Sequence, residues 1–353
     1  AARFQLARAL MQHENYNDAL TEFLQIEKSQ PYHTETQENI AICYLKKGLL
    51  NQAKQHYKNA LELRENDTQI LFNLGVIETQ LGNIDNAIQY YQKSVIIDPD
   101  FFAAHNNLGT AFLFKQHSAF ALQHFQQAAR LQPENRSLQY TIHALSQDKK
   151  LLFAPTEYIQ SLFDSYADHY DEHLLTALDY QLPLHFQNIL HKIHASTTMN
   201  ILDLGCGTGL CGVAIKSFAG KLTGIDLSEK MLEIARDKKI YHRLECNNIA
   251  DFLAENHDTY DLIIAGDVLV YMGELEKLFS QIKQALHADG IFLFNCEISE
   301  SENYKMNQSG RFSHQKKYIE NLANSNKFNI LYHEKSITRL QNNEPVYGFI
   351  YAL

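Results

Sequence analysis

Four alanines at one fixed interval constrain this chain more than any other feature. Ala19, Ala53, Ala87 and Ala121 recur every 34 residues, and Phe23, Tyr57, Tyr91 and Phe125 follow in the same register. Ala7, Ala41, Gly75 and Gly109 mark the other side of each unit. Pro31, Pro99 and Pro133 close three units, and Glu65 takes the proline place in the second. The pattern reads as a run of helical hairpins. Small residues sit where the two helices of a hairpin cross, the aromatic fills the gap between neighbouring units, and proline ends the second helix. Unrelated amphipathic helices would not hold one register through four units. Residues Asn135 to Lys150 read as a more polar closing helix.

The period and its residues resemble tetratricopeptide repeats. The resemblance implies an α-solenoid with a concave surface that binds a peptide or protein partner. Glu35, Glu38, Ile42, Gln69, Phe72, Val76, Asn106 and Thr110 are expected to face it. They include no Lys/Arg cluster to grip a peptide carboxylate. Exposed Ile42, Phe72 and Val76 imply a partly apolar segment as ligand. Packing against the rest of the chain, or dimerisation, is the plainer use of the same surface. The chain begins inside the pattern and without Met, so further repeats are expected before residue 1.

A length of 353 residues suggests two domains, and the repeat pattern places them at 1–150 and 151–353. The formal charge of -10 is uneven: residues 1–150 carry 14 Lys+Arg against 15 Asp+Glu, leaving 17 against 26 for the remainder. An acidic second half repels a phosphate backbone, so no nucleic-acid partner is expected. Cys43, Cys206, Cys211, Cys246 and Cys296 are scattered and odd in number. They suggest reduced thiols in a cytoplasmic protein rather than disulfides or zinc. No apolar run is long enough to span a bilayer.

After Pro155 the period gives way to strands alternating with helices, the mark of a parallel sheet. Strands are expected at Asn200–Leu204, Lys221–Asp226, Tyr260–Ala265 and Gly290–Cys296, with shorter ones near Arg243–Cys246, Asn329–His333 and Val346–Ala352. The last two, joined by polar residues around Gln341–Pro345, are expected to form an edge hairpin. The segment MNILDLGCGTGL (Met199–Leu210) runs an apolar strand into Asp203, Gly205, Gly207 and Gly209. Glycines let the backbone turn sharply and approach a ligand, and the next helix offers free N–H groups. Asp226 ends the following strand, where a carboxylate grips ribose hydroxyls. This much says nucleoside. Gly207, Gly209 and Gly212 also satisfy the dinucleotide fingerprint of an NAD enzyme, but that reading leaves Asp203 without a task.

IDLSEKMLEIA (Ile225–Ala235), YDLIIAGDVLVYM (Tyr260–Met272) and LHADGIFLF (Leu286–Phe294) follow DLGCGTG in order. Together they resemble class I S-adenosylmethionine-dependent methyltransferases, over roughly residues 156–353. The resemblance implies a Rossmann-like, mostly parallel seven-stranded sheet with its last strand antiparallel. It implies that Gly205, Cys206, Gly207 and Gly209 wrap the methionine and ribose parts of S-adenosylmethionine. Asp203 then lies by the cofactor's amino group, Asp226 binds the ribose and Leu227 packs on adenine. Asn248 and Ile249 fall where the family often has an Asp and an apolar residue at the adenine, and the Asn carbonyl can accept the same hydrogen bond. Asp267 faces the site of methyl transfer. LFDSYADHYDEHL (Leu162–Leu174) and SGRFSHQKKYIENLA (Ser309–Ala323) are similar to segments of bacterial repeat-containing methyltransferases, which implies that the two halves are one natural architecture. Tyr166 and Tyr170 either close over the cofactor or seal an interdomain core.

Methyl transfer is an in-line displacement that needs no metal or covalent nucleophile, and alignment supplies much of its rate. His314 and Tyr271 are the candidate bases. Arg311, and with it His314, are the candidate substrate contacts, the planar fork of Arg311 matching a carboxylate. The structural alternatives are that His314 caps the following helix and Arg311 makes an internal salt bridge. His169 with His173, and His191 with His194, share helix faces but lack further metal ligands. Cys206 and Cys211 read as small packing residues. Two function classes follow: an active methyltransferase whose repeats recruit a partner or substrate, and an interaction protein with a silent cofactor-binding domain. The acceptor is open: protein side chain, small carboxylic acid or quinone-like metabolite.

Overall fold

In the computed structural model, which describes residues 2–147, 151–300, 302–341 and 344–353, the repeat register is realised helix by helix. Helices α1 (Ala2–Gln12) and α2 (Tyr16–Ser29), α3 (Thr34–Lys46) and α4 (Leu50–Leu63), α5 (Thr68–Gln80) and α6 (Ile84–Ile97), and α7 (Phe102–Phe114) and α8 (Ser118–Leu131) pair in chain order. The second helix of each pair starts 34 residues after the last, at Tyr16, Leu50, Ile84 and Ser118. The register alanines and aromatics are all buried. A Cβ placed on Gly75 would lie 2.5 Å from Cε1 of Tyr91, and one on Gly109 2.7 Å from Cε1 of Phe125. Each of these rings therefore packs against the small residue of its own hairpin, not only in the gap between units as the pattern suggested. The tyrosine hydroxyls make the step to the next unit: Tyr57 accepts from Asn73 at 3.1 Å, and Tyr91 from Asn107 at 3.5 Å. Ile42, Phe72 and Val76 are half-buried rather than exposed. Phe72 lies with its ring 5.0 Å from that of Phe101 and 5.8 Å from that of Tyr91.

The chain divides into Ala1–Leu138 and Gln139–Leu353, which places the division inside α9 (Arg136–Ser146). Tyr140 and Ala144 of that helix share a small apolar cluster with Ala154, Met306 and Phe312 of the second unit. The Tyr140 hydroxyl donates to the Gly310 carbonyl at 2.6 Å. The end of the closing helix expected at 148–150 lies outside the described residues.

The second unit opens with α10 (Thr156–Tyr166), α11 (Tyr170–Thr176) and α12 (Leu182–Lys192). Its strands are β1 (Met199–Leu204), β2 (Ala219–Asp226), β3 (Arg243–Cys246), β4 (Tyr260–Ala265), β5 (Leu286–Ile298), β6 (Tyr304–Met306), β7 (Phe312–His314), β8 (Tyr332–Gln341) and β9 (Glu344–Ala352). Seven of them run in the order β3-β2-β1-β4-β5-β9-β8, with β9 antiparallel to both neighbours and the pairs from β3 to β5 parallel. This is the expected sheet. The tip of the β8–β9 hairpin, at 342–343, lies outside the described residues.

The short strands β6 and β7 were not anticipated. They exist because β5 runs on to Ile298, beyond the Cys296 end read from the sequence. Its β4-side edge is free after Phe294, and β9 already occupies the other edge as far as Glu297. A strand has two edges, so β7 pairs with Glu297 and Ile298 on the side β4 has left. The β6–β7 hairpin is thereby held at the carboxyl end of the sheet, where ligands bind in open α/β folds.

Strands β1 and β4 share one pattern, buried everywhere except at the second residue, as expected of a sheet covered on both faces. One face packs Phe186 and Leu190 of α12 and Ile215 of α13 (Leu210–Ile215). The other packs Phe252 of α15 (Ile249–Glu255), Phe279 of α16 (Glu276–Ala285) and Ile319 of α17 (Lys316–Ser325). The remaining helix, α14 (Glu229–Asp237), follows β2.

Candidate functional site

The chain leaving β1 turns through Gly205 (φ +64°), Gly207 (φ +53°) and Gly209 (φ +91°). Side chains other than glycine are strained at these angles. The Cys206 N–H bonds the Ile225 carbonyl at 2.9 Å, and the Gly209 N–H bonds the Cys206 carbonyl at 2.8 Å. A Cβ on Gly205 would meet Val268 Cγ2 at 2.5 Å, whereas one on Gly207 meets nothing within 4 Å. Gly207 thus leaves open space beside the backbone of the turn. Cys206 is buried, as a packing residue would be.

Tyr241 explains the other glycines around this loop. Its ring or hydroxyl lies within 3.0 Å of the Cβ positions of Gly209, Gly212 and Gly224. Its hydroxyl donates to Asp203 Oδ2 at 2.7 Å. Gly212, the third glycine of the dinucleotide fingerprint, is therefore small to admit Tyr241, and the fingerprint loses its physical basis here.

Asp203 is 1% exposed. Burial raises its carboxyl to about 7, with the Tyr241 hydrogen bond pulling down and nearby Asp226 pushing up. Asp226, at the end of β2, accepts from the Gly207 N–H at 2.8 Å through Oδ2 and from the Ser228 N–H at 2.9 Å through Oδ1. Its carboxyl is also raised by burial, against the pull of those amides. Half-exposed Leu227 follows it. Asn248 is the N-cap of α15, its Oδ1 accepting from the Ala250 N–H at 2.8 Å. That bond occupies one lone pair of the carbonyl expected to meet adenine. Ile249 is 9% exposed and belongs to the core.

Two aspartates that the sequence reading did not single out tie the entry segment to the start of α14 and to the glycine loop. Asp164 accepts from Ser228 Oγ at 2.5 Å, and Asp171 from Thr208 Oγ1 at 2.5 Å and Lys238 Nζ at 2.7 Å. Lys238 also donates to the Thr208 carbonyl at 2.7 Å. Tyr166 and Tyr170 lie between these ties with ring centroids 5.2 Å apart, and the Tyr166 hydroxyl meets His173 Nδ1. Burial pushes both phenols up, with the carboxylates of Asp267 and Asp226 acting on Tyr170 in the same direction.

Asp267 follows β4 at φ +58°. Asn295 brackets it, accepting from the Asp267 N–H at 2.7 Å and donating to Oδ1 at 2.8 Å. Arg311 Nη2 stands 3.3 Å from Asp267 Oδ2, and Arg311 Nε donates to Glu297 Oε1 at 2.7 Å. Glu297 Oε1 also accepts from Arg339 Nη2 at 3.2 Å. Arg311 is thus not a free fork for a substrate carboxylate: it stands in internal ion pairs with Asp267 and Glu297, and its buried Nη2 makes no hydrogen bond. His314 is corrected as well. It is 0% exposed, its Nε2 faces the Met272 and Gly273 carbonyls at 2.9 and 3.2 Å, and burial lowers it to about 4. Facing two carbonyls, Nε2 is the protonated nitrogen, and Nδ1 is buried without a hydrogen-bond partner. The ring ties β7 to the loop after β4 instead of capping α17. Tyr271 stacks its ring 5.7 Å from the Arg311 guanidinium. Burial raises its phenol, against Arg311, so it keeps its proton and is a poor base.

Residues 195–347 match the methyltransferase-domain family, and residues 32–100 the tetratricopeptide-repeat family. A protein of Saccharomyces cerevisiae named a probable S-adenosylmethionine-dependent methyltransferase is 31% identical over 119 residues, 32% of this chain and 40% of that protein. The malonyl-acyl-carrier-protein O-methyltransferase of Bacillus anthracis is 29% identical over 108 residues, 30% of this chain and 39% of its own. The demethylmenaquinone methyltransferase of Symbiobacterium thermophilum is 28% identical over 146 residues, 39% and 58% respectively. The chain spans about half the length of the curated relatives it matches. Their names agree on methyl transfer and differ in the acceptor. Among the described residues, no helix is long and apolar enough to cross a membrane.

Proposed function

Starting from a second unit that is an S-adenosylmethionine-dependent methyltransferase domain, behind an array of tetratricopeptide repeats, we propose that this chain methylates an acceptor brought to it by the repeats. The observation that carries the reading is the pair of carboxylates flanking the glycine turn, Asp203 buried and Asp226 half-buried. Asp203 is 1% exposed, with its carboxyl raised to about 7, so a ligand ammonium is the partner that suits it. Asp226, fixed by two backbone N–H groups, keeps lone pairs for ribose hydroxyls. Between them, Gly207 leaves open space where a Cβ would stand. These residues fit S-adenosylmethionine, which supplies a methyl carbon bound to a cationic sulfonium.

In this reading Gly205, Gly207 and Gly209 hold the methionine and ribose parts, Leu227 covers the adenine, and Asn248 meets the adenine edge. Tyr166 and Tyr170, pinned through Asp164 and Asp171, exclude water. Asp267 orients the acceptor, and Tyr271 offers a phenolic hydrogen bond to it. The repeats bind a protein or peptide and take no part in the chemistry. The test is incubation of the pure chain with methyl-tritiated cofactor and a lysate of its own cell. Enzyme-dependent label in an acceptor is expected. Bound cofactor with no transfer to any fraction would refute the reading.

A further inference from the structure

Tyr241 lies in the link between α14 and β3, outside every role assigned above. Its hydroxyl donates to Asp203 Oδ2 at 2.7 Å, and among the described residues no other donor reaches that carboxylate. Oδ1 is therefore left for a ligand. Two constraints fix the hydroxyl in place. The next residue, His242, is pinned to β2 twice: its N–H donates to the Leu222 carbonyl at 2.8 Å, and its Nδ1 accepts from the Leu222 N–H at 3.0 Å. The Tyr241 side chain also fills space beside three glycines, its ring or hydroxyl standing within 3.0 Å of the Cβ positions of Gly209, Gly212 and Gly224. A ring packed against all three cannot turn its hydroxyl away from Asp203 without displacing the glycine turn, α13 or β2.

The surroundings of Asp203 make this one bond matter. Asp226, at the end of β2, opposes ionisation of Asp203 as burial does, and among the described residues no cation acts on it. The thiols of Cys206 in the turn and Cys211 in α13 both feel the Asp203 charge. Burial holds them well above the ordinary thiol range, so they stay protonated and neutral. The Tyr241 phenol is likewise pushed up, by burial and then by Asp203, so it keeps its proton and remains a donor. Before a ligand arrives, the phenolic hydrogen bond alone favours the carboxylate, and a hydrogen bond to a charged group is stronger than one between neutral groups.

We propose that Tyr241 is a positioning residue for the cofactor: its hydroxyl holds Asp203 Oδ2 and so reserves Oδ1 for the cofactor's ammonium. The proposal rests on the reading that Asp203 receives that ammonium. The test is calorimetric titration of the full chain with S-adenosylhomocysteine at pH 6, 7 and 8, with urea melts to check folding. Tyr241→Phe keeps the ring and removes the hydroxyl, and Tyr241→Leu removes the hydroxyl without overfilling the space. Loss of the hydrogen bond should raise the Asp203 carboxyl from about 7 by about one further pH unit. Affinity should then fall about ninefold at pH 6 but only about twofold at pH 8. A side chain that merely packs would lower affinity by the same factor at every pH. An equal loss at pH 6 and pH 8, or no loss, in either folded variant overturns the proposal. Asp203→Asn separates the two levels. A wild-type acid limb that Asp203→Asn abolishes and Tyr241→Phe leaves unmoved sinks the role of Tyr241 alone. A limb that is absent, or that survives Asp203→Asn, sinks the ammonium reading and the proposal together.

Discussion

If Asp203 receives the cofactor's ammonium, binding must be strongly pH-dependent, and the structure sets the size of the effect. The Asp203 carboxyl moves from 3.8 to about 7 on burial, a difference of about 3 pH units or about 4 kcal/mol. A ligand cation favours the carboxylate, so at pH values below 7 the ligand must first expel a proton. At pH 5 only about 1% of the free protein holds the ionised form, against most of it at pH 7.5. Affinity for the demethylated cofactor should therefore fall roughly 50- to 100-fold between pH 7.5 and pH 5. Calorimetry at pH 6, repeated in buffers of different ionisation enthalpy, should report release of close to one proton. Above about pH 8 the ligand's own amine deprotonates and affinity falls again. Asp226 is raised too, so Asp203→Asn is the decisive control and should flatten the acid limb. Constant affinity from pH 5 to 7.5 in folded protein, or an acid limb that survives Asp203→Asn, would refute the reasoning.

Asp226→Ala should weaken cofactor binding by 10- to 100-fold by titration calorimetry, since each charge-assisted hydrogen bond is worth roughly 1.5–3 kcal/mol; unchanged affinity would mean that the ribose lies elsewhere. Asp203 and His314 act oppositely on stability: Asp203, raised from 3.8 to about 7, contributes stability at low pH that is lost as pH rises through 7, whereas His314, lowered from 6.5 to about 4, contributes above 6.5 and loses it as pH falls towards 4. In urea melts at pH 4 and pH 7, Asp203→Asn should remove a rise of about 3 kcal/mol towards acid and His314→Gln a fall of about 3 kcal/mol, and equal slopes in wild type and variants would contradict both assignments. A chain beginning at Gln139 should bind cofactor and melt several degrees above one beginning at Leu151, because the shorter chain loses Tyr140 and Ala144 from their cluster with Met306 and Phe312; coincident melting curves would show that α9 adds nothing to the second unit.

The parts legible in the sequence are those whose cause is local or periodic. The repeat units fall at 34-residue steps because each alanine and its aromatic belong to one hairpin. The loop from Asp203 to Gly209 is recognisable because strand, turn and helix start are contiguous. Contacts between distant segments were hidden. Tyr241 reaches Asp203 across 38 positions, and nothing in its neighbourhood marks it. Asp164 and Asp171 lie on the separate helices α10 and α11, inside a segment read for its tyrosines, and no spacing marked them. His314 and Arg311 looked chemical because of their residue types. Their commitments, to the Met272 carbonyl and to Glu297, depend on where β5 ends, and the length of β5 was misjudged.

The position of Tyr241 also carries a consequence for inheritance. One side chain crowds the Cβ positions of residues 209, 212 and 224, although Gly209 is required by its left-handed backbone in any case. At Gly212 the Tyr241 hydroxyl is the nearest obstacle to alanine, whereas at Gly224 Cys206 Sγ and Leu244 Cδ2, each 2.9 Å from the Cβ position, crowd it as closely as the ring does at 2.8 Å. A lineage that first shortened residue 241 could drift at Gly212, and would then be unable to restore the tyrosine without reverting it. Sequences of this kind should therefore show Tyr241 and Gly212 changing together or not at all, a historical ratchet set by one side chain.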